Sequence, residues 1–533
     1  MVSLQRNAEW RLRAIRYGFI SRGVRSGLAR LIPAGLAALV LAVLAYGGTA
    51  RANTITVSSL VDPGTASTCA LRDAITAANT KAKVHGCRAG NGTDTIEFAS
   101  GLSGTITLGT TLPAIINTLT IQGTATSPPA ITVSGGGLIQ LLVVNAGAAL
   151  NLNNLTLTDG NNANGNGGGI DNEGTLNVDN STISGNNDAD FAGGGIFNDT
   201  NATLTVVNST ISGNSATSAG GIDNAGTLTV VNSTFSGNSV LDSGGGISNS
   251  GTITVVNSTF AGNDAGLDGG GISNDNAANL EGTILASSTG GNCSGNAITD
   301  NGYNLSDDDS CIFSGTGSDN NVTTLDLGTL QNNGGPTQTI ALGDASTALN
   351  AIPAASCLYA NVNPCTNPPA SSASGALVCD QRGVQRPQGT GCDIGAFELQ
   401  ATTDFESFET GLIVFPSQFA AGGSFSLAAD APAINPPTQS VTVTISSASF
   451  GPLSVTIPAG SFTLVKGQYE YSGTIGGIKY GASISGPVSG VYDFTFFAFG
   501  LDVDGITNPV TLTFQIGGIG ANTGSDTIEA AIL

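Results

Sequence analysis

The sequence predicts an all-β protein: a right-handed parallel β-helix with a short N-terminal capping helix, followed by an antiparallel β-sandwich. Three observations predict it. The heptapeptide Asn-Ser-Thr-[Ile/Phe]-[Ser/Ala]-Gly-Asn begins at Asn180, Asn208, Asn232 and Asn257. Its partner, Gly-Gly-Ile-x-Asn, places Ile170, Ile196, Ile222, Ile247 and Ile272 at spacings of 26, 26, 25 and 25 residues. A repeat of that length cannot bury its apolar face alone and must stack on its neighbours. Within each repeat the apolar residues alternate, Leu228 and Val230 pointing one way and Thr227, Thr229 and Val231 the other. No 3.6-residue period competes, and Gly and Asn are poor helix formers.

Residues 1–52 read as a secretory leader. They hold eight of the 16 Lys and Arg, then an apolar run from Leu31 to Tyr46, then Ala50-Arg51-Ala52 in the form of a leader-peptidase site. The 16-residue run is broken by Pro33 and falls short of the roughly 20 residues that span a bilayer. Cleavage is expected, leaving no transmembrane span. The remainder carries 8 basic and 37 acidic residues, a net charge of −29. Nucleic-acid affinity rests on Lys and Arg at phosphates, and none occurs between Arg88 and Arg382, so DNA and RNA are excluded as partners.

Residues 53–93 are expected to form an N-terminal cap, because an open β-helix end exposes unpaired strand edges. Cys69 to Asn79 is the helix signal, with Leu71, Ala74, Ile75 and Ala78 on one face. The β-helix itself is assigned to 94–345. Early coils are irregular (Thr95–Phe98, Thr105–Leu108, Leu119–Ile121, Ile131–Val133, Leu141–Val144), and Thr283–Leu285 and Val322–Leu327 continue the series with decaying regularity. Ile170 to Ile272 should stack as an inward column, as should Ile183, Ile211, Phe235 and Phe260. Asn180, Asn208, Asn232 and Asn257 are expected to form a ladder at a turn, each amide bonding the next about 4.8 Å away. Asn-Ser-Thr is also a glycosylation sequon, but four copies at one coil position favour the structural role.

Residues 346–400 are expected to form a disulfide-containing C-terminal cap. The eight cysteines fall in four sequence-local pairs: Cys69 and Cys87, Cys293 and Cys311, Cys357 and Cys365, Cys379 and Cys392. Behind a leader an even count reads as disulfides, with connectivity open. A zinc site is disfavoured, since the only His is His85 and no C-x-x-C occurs. Arg382 and Arg386 stand among Asp380, Asp393 and Glu398 and are expected to be ion-paired. Residues 401–533 alternate in short runs (Val441–Ile445, Tyr469–Thr474, Tyr492–Phe499, Val510–Ile516) between Gly and Pro turns, which suggests the sandwich. The rival is a small membrane barrel, favoured by Phe494, Phe496 and Phe499 but opposed by runs mostly shorter than about 9–11 residues.

Three stretches resemble a known bacterial group. Cys69-Ala70-Leu71-Arg72-Asp73-Ala74-Ile75 resembles the C-S-L-R-E-A-I box of CSLREA-domain proteins. Gly-Gly-Gly-Ile paired with Phe235-x-x-Asn238 and Phe260-x-x-Asn263 resembles the repeats of polymorphic outer membrane proteins, with Gly for Ala and with Ile for Phe in two copies. Asn333–Thr337, Asp380–Gly383, Arg386-Pro387 and Cys392–Glu398 are similar to the closing block of choice-of-anchor Q proteins. Together these span roughly residues 53–400. The resemblance implies an exported right-handed β-helix at the cell surface or in the medium, usually without an assigned activity.

Lyase chemistry on uronates needs a cation for the enolate and a Lys or Arg base, and residues 89–381 hold no Lys, Arg or His. A carboxylate-only hydrolase is the enzymatic alternative. Asp171 and Asp223 occupy one coil position two coils apart, hence about 9.6 Å, against about 6.5–9.5 Å for inverting pairs. Phe197, Ser248 and Ser273 fill the same position elsewhere, which reads as a variable exposed site. Asp307-Asp308-Asp309 and Asp502-Val503-Asp504-Gly505 hint at calcium, but neither completes a ligand loop, so no metal and no cofactor is expected. The reading is a non-catalytic secreted or cell-surface β-helix for adhesion to a glycan, a matrix or a neighbouring or host cell.

Overall fold

The computed structural model describes residues 53–533 except 125–127, 164, 358–361, 364–369, 372–377, 400–404, 416, 428–433, 435, 437–438, 448, 459, 476, 489–490, 501–502, 504–505, 517–521, 529–530 and 533. Residues 1–52, where a leader is expected, Cys365 and most of Asp502–Gly505 therefore lie outside the described residues.

The chain winds into a parallel β-helix. Its coils stack into a ten-stranded sheet (I), a nine-stranded sheet (II), a seven-stranded sheet (III) and a four-stranded side ribbon. Registers are residue for residue: Leu176, Leu204, Leu228 and Ile253 are direct partners, and so are Ile170, Ile196, Ile222, Ile247 and Ile272. The isoleucine column is wholly buried, and Phe235 and Phe260 stack with ring centroids 4.5 Å apart. Glycine is required where coils approach most closely. A Cβ at Gly195 would sit 2.6 Å from the carbonyl oxygen of Gly221, whereas Gly193 and Gly244 take φ of 75° and 83° where the chain turns.

Buried asparagine ladders do form, but not at the first Asn of the heptapeptide. Asn172, Asn198, Asn224, Asn249 and Asn274 bond amide to carbonyl in series at 2.7–2.8 Å. Asn186, Asn214, Asn238 and Asn263 do the same at 2.9–3.0 Å. These are the last Asn of each motif. Asn180, Asn208, Asn232 and Asn257 stack in register, but their φ values of 45–49° put them in the left-handed region. There they make the turn from sheet I to sheet II, a role Asn tolerates better than most residues. The amide of Asn232 leaves the column to donate to the Cys379 carbonyl.

Helix α1, Leu71–Thr80, supplies Leu71, Ala74, Ile75 and Ala78 to the same core as Ile55, Val57 and Ile96 of the first coils. The Cys69–Cys87 disulfide closes its loop. Arg72 pairs with Asp62 at 2.8 Å and donates to the Thr111 carbonyl, tying α1 to the rod. No helix among the described residues is long and apolar enough to cross a membrane.

The segment after the last coils lies along the flank of sheet II. Thr337 bonds the Asn208 carbonyl, Gln381 bonds Thr210 and Thr234, and the Ala396 N–H donates to Thr259 Oγ1. Ile284 and Ala286, which face outward from sheet II, share an apolar cluster with Ile352, Ile394 and Phe397. Cys357 is bridged to Cys392, 35 residues away, rather than to a near neighbour; Cys293 and Cys311 are bridged, and Cys379 is also disulfide-bonded.

The C-terminal residues form a seven-stranded and a four-stranded sheet, antiparallel except for the short parallel strand Ala531–Ile532. The two pack face to face through one core, in which Phe494 of the larger sheet lies 4.4 Å from Phe514 of the smaller. Phe405–Phe415 and Ile478–Val488 run to 11 residues each, longer than the sequence suggested. Phe494 and Phe496 nonetheless point into the sandwich, at 2 % and 1 % exposure.

Candidate functional site

Sheet III presents one outward side chain per coil between two inward ones. Reading along that column gives Val143, Asp171, Phe197, Asp223, Ser248, Ser273 and Ser294. Asp171 and Asp223 thus share a column, with Phe197 on the strand between them. Two strand spacings separate the carboxylates by about 9.6 Å. All three side chains are half-buried.

Burial pushes the Asp171 carboxyl up to about 6, helped by the nearby negative charges of Glu173 and then Asp199. Burial alone raises Asp223 to about 6 as well. Acid and base partners work when their surroundings drive their pKa values apart, and these two are driven to the same place. One wall of the site is irregular. The ribbon strand Asn187–Ala192 bulges between Asp188 and Ala192 relative to its partner, leaving Phe191 at 41 % exposure just before the chain turns at Gly193 towards Phe197. Phe197 was visible in the sequence only as an exception to an acidic or serine position, and the bulge had no sequence signal.

The acidic cluster at Asp307–Asp309 serves the protein's own turns. Asp307 accepts from the Ser287 N–H and the Asn292 amide, and Asp308 accepts from Ser306, Ser310 and the Asn292 N–H. Burial would raise Asp308, but these donors hold it below the usual carboxylate range. Asp300 is lowered in the same way, by donors from Gly302, Asn304, Gly315 and Ser318. Among the described residues, no three His, Cys, Asp or Glu side chains are grouped to hold a metal ion.

Three further acidic residues are structural. Asp179, 4 % exposed, lies at the end of a sheet I strand where later coils carry Val207, Val231 and Val256. It sits beside Asn180, yet neither carboxyl oxygen reaches hydrogen-bond geometry. Burial pushes it up to about 8, against a lowering contribution from Asn180. In the flanking segment, Arg382 pairs with Asp380 at 2.7 Å and Arg386 with Glu398 at 3.1 Å, all four buried, and the Arg382 guanidinium lies 3.6 Å above the Phe397 ring.

No protein-family model matches the chain, and neither a curated protein nor a solved structure matches it.

Proposed function

We propose that the chain is an exported, non-catalytic β-helix that binds glycans of a matrix or cell surface along the outer face of sheet III. The observation that carries this reading is the Asp171–Phe197–Asp223 column. An aromatic ring between two hydrogen-bonding carboxyls suits a sugar, which offers an apolar ring face and a rim of hydroxyls. Half-buried Ser248 continues the same column with a hydroxyl group. Export is supported by the leader-like residues 1–52, by the disulfide bonding of all seven described Cys, and by the CSLREA-like box. A glycan array probed with the purified chain tests the reading. Binding that weakens in Phe197→Ala and Asp223→Asn supports it, and an array without signal defeats it.

A second reading has one observation in its favour. Burial places both carboxyls near 6, where a general acid for glycoside hydrolysis works. Incubation with plant and bacterial polysaccharides separates the two. New reducing ends that disappear in Asp171→Asn establish a hydrolase, whereas binding without turnover establishes the adhesin.

A further inference from the structure

The outer face of the seven-stranded C-terminal sheet carries a feature the sheet III column does not explain. Ile413, Ala420, Phe497 and Gly481 are direct cross-strand partners in one row. A methyl group at Gly481 would collide with the Phe497 ring, so the ring lies over that glycine along the sheet. Phe497 and Phe499 stay 39 % and 46 % exposed, with centroids 5.3 Å apart and ring planes at 61° in a T-shaped arrangement. Beside them Gly411, Ala420 and Gly422 leave a depression of about 570 Å³. A Cβ at Gly411 would meet nothing closer than the Gly422 carbonyl at 3.9 Å. Thr495, bonded to Ser483 at 2.7 Å, supplies a hydroxyl rim.

A hollow without side chains beside a ring laid along a sheet costs strand stability and core packing, and exposed apolar patches of this kind mark binding sites. The electrostatics select the occupant. The lining carries no ionisable group; Glu409 and Asp493 border it on one side, Lys479 stands across from Phe499 on the other, and the chain as a whole is at −22. A polyanion is repelled here, while a neutral ligand is not. We infer that the Phe497–Gly411 hollow is a binding site for a neutral polysaccharide, one pyranose face resting on the Phe497 ring. This extends the glycan-binding reading to a second surface and rests on it for the ligand class.

Affinity electrophoresis of the full chain in gels containing hydroxyethyl cellulose, dextran or polygalacturonate tests the site. A neutral gel is expected to retard the chain and polygalacturonate is not. Phe497→Ala should weaken retention about three- to tenfold, the worth of one aromatic contact. Gly411→Val fills the hollow while favouring the strand, so its loss of retention cannot be blamed on unfolding. Retention that survives in both variants overturns the site, and so does retardation by polygalacturonate alone or by none of the gels. A dimer that Phe497→Ala dissolves would assign the face to a second copy and overturn it equally. Phe197→Ala, run in parallel, separates this site from sheet III. If Phe197→Ala alone abolishes retention, the hollow fails while the glycan reading stands.

Discussion

Gln381 and Thr210 are 171 residues apart in the chain and 3.0 Å apart in space, amide to hydroxyl, both fully buried. Gln381 also accepts from Thr234 at 2.6 Å and donates to Thr337 at 2.8 Å. Gln381→Leu leaves the buried Thr234 hydroxyl without its acceptor, at about 1–3 kcal/mol. Hydrogen exchange should accelerate over 327–399 and sheet II while sheet III stays protected; uniform protection in the variant would contradict this docking.

Asp179 should make the protein less stable as pH rises. Its folded pKa lies above its unfolded value, so its stabilising contribution is complete below about 3.8 and is lost up to about 8. The slope is at most about 1.4 kcal/mol per pH unit. Asp179→Val, copying the later coils, should raise the melting temperature and flatten its decline between pH 5 and 8. A melting temperature unchanged at pH 8 would show that the carboxyl is already satisfied.

The same sign applies to Glu398. Burial, helped by the negative charge of Asp393, outweighs Arg386 and raises it to about 7; Asp380, Asp393 and Glu398 against Arg382 and Arg386 leave one surplus charge when all are ionised. Stability conferred by the protonated form is full below about 4.5 and is lost as pH climbs through 7. Glu398→Gln should remove that part of the pH dependence, read as melting temperature across pH 5–8.

The two kinds of repeated asparagine should respond in opposite ways. Asn224→Leu breaks bonds to Asn198 and Asn249 and orphans buried amide groups, costing about 1–3 kcal/mol for each. Asn180→Gly should be near neutral, since glycine adopts its φ of 47° without strain. Paired urea titrations measure both.

The Cys69–Cys87 bridge closes an 18-residue separation around α1. Replacing both with Ser should cost about 3 kcal/mol by loop entropy and expose the first coils to proteolysis before the rest of the rod. Simultaneous loss of the whole rod would show instead that α1 gates its unfolding.

Whatever stacks on its own copy was legible in the sequence. The isoleucine columns, the Phe235–Phe260 pair and the Asp171–Asp223 column follow from period and alternation, because in-register coils bring like residues together, while α1 follows from the one-faced spacing of Leu71, Ala74, Ile75 and Ala78. The Asn ladder was misplaced for a reason internal to that logic. Both motif positions repeat equally, and only the left-handed φ of Asn180, Asn208, Asn232 and Asn257 separates turn from ladder. The flank docking of Thr337, Gln381 and Ala396 and the Cys357–Cys392 bridge join non-repeating positions far apart in sequence, so no periodicity announces them. The Phe497 hollow needed the cross-strand register that sets Gly481 beneath the ring.

Because Thr337, Gln381 and Ala396 clasp the windings from Asn208 to Gly282, the two ends of the rod have different freedom to evolve. A duplicated winding inserted before Asn208 lengthens the reach by about 4.8 Å and leaves every clasp intact. An insertion after it throws the clasp out of step, so growth of this molecule has a permitted end and a forbidden one.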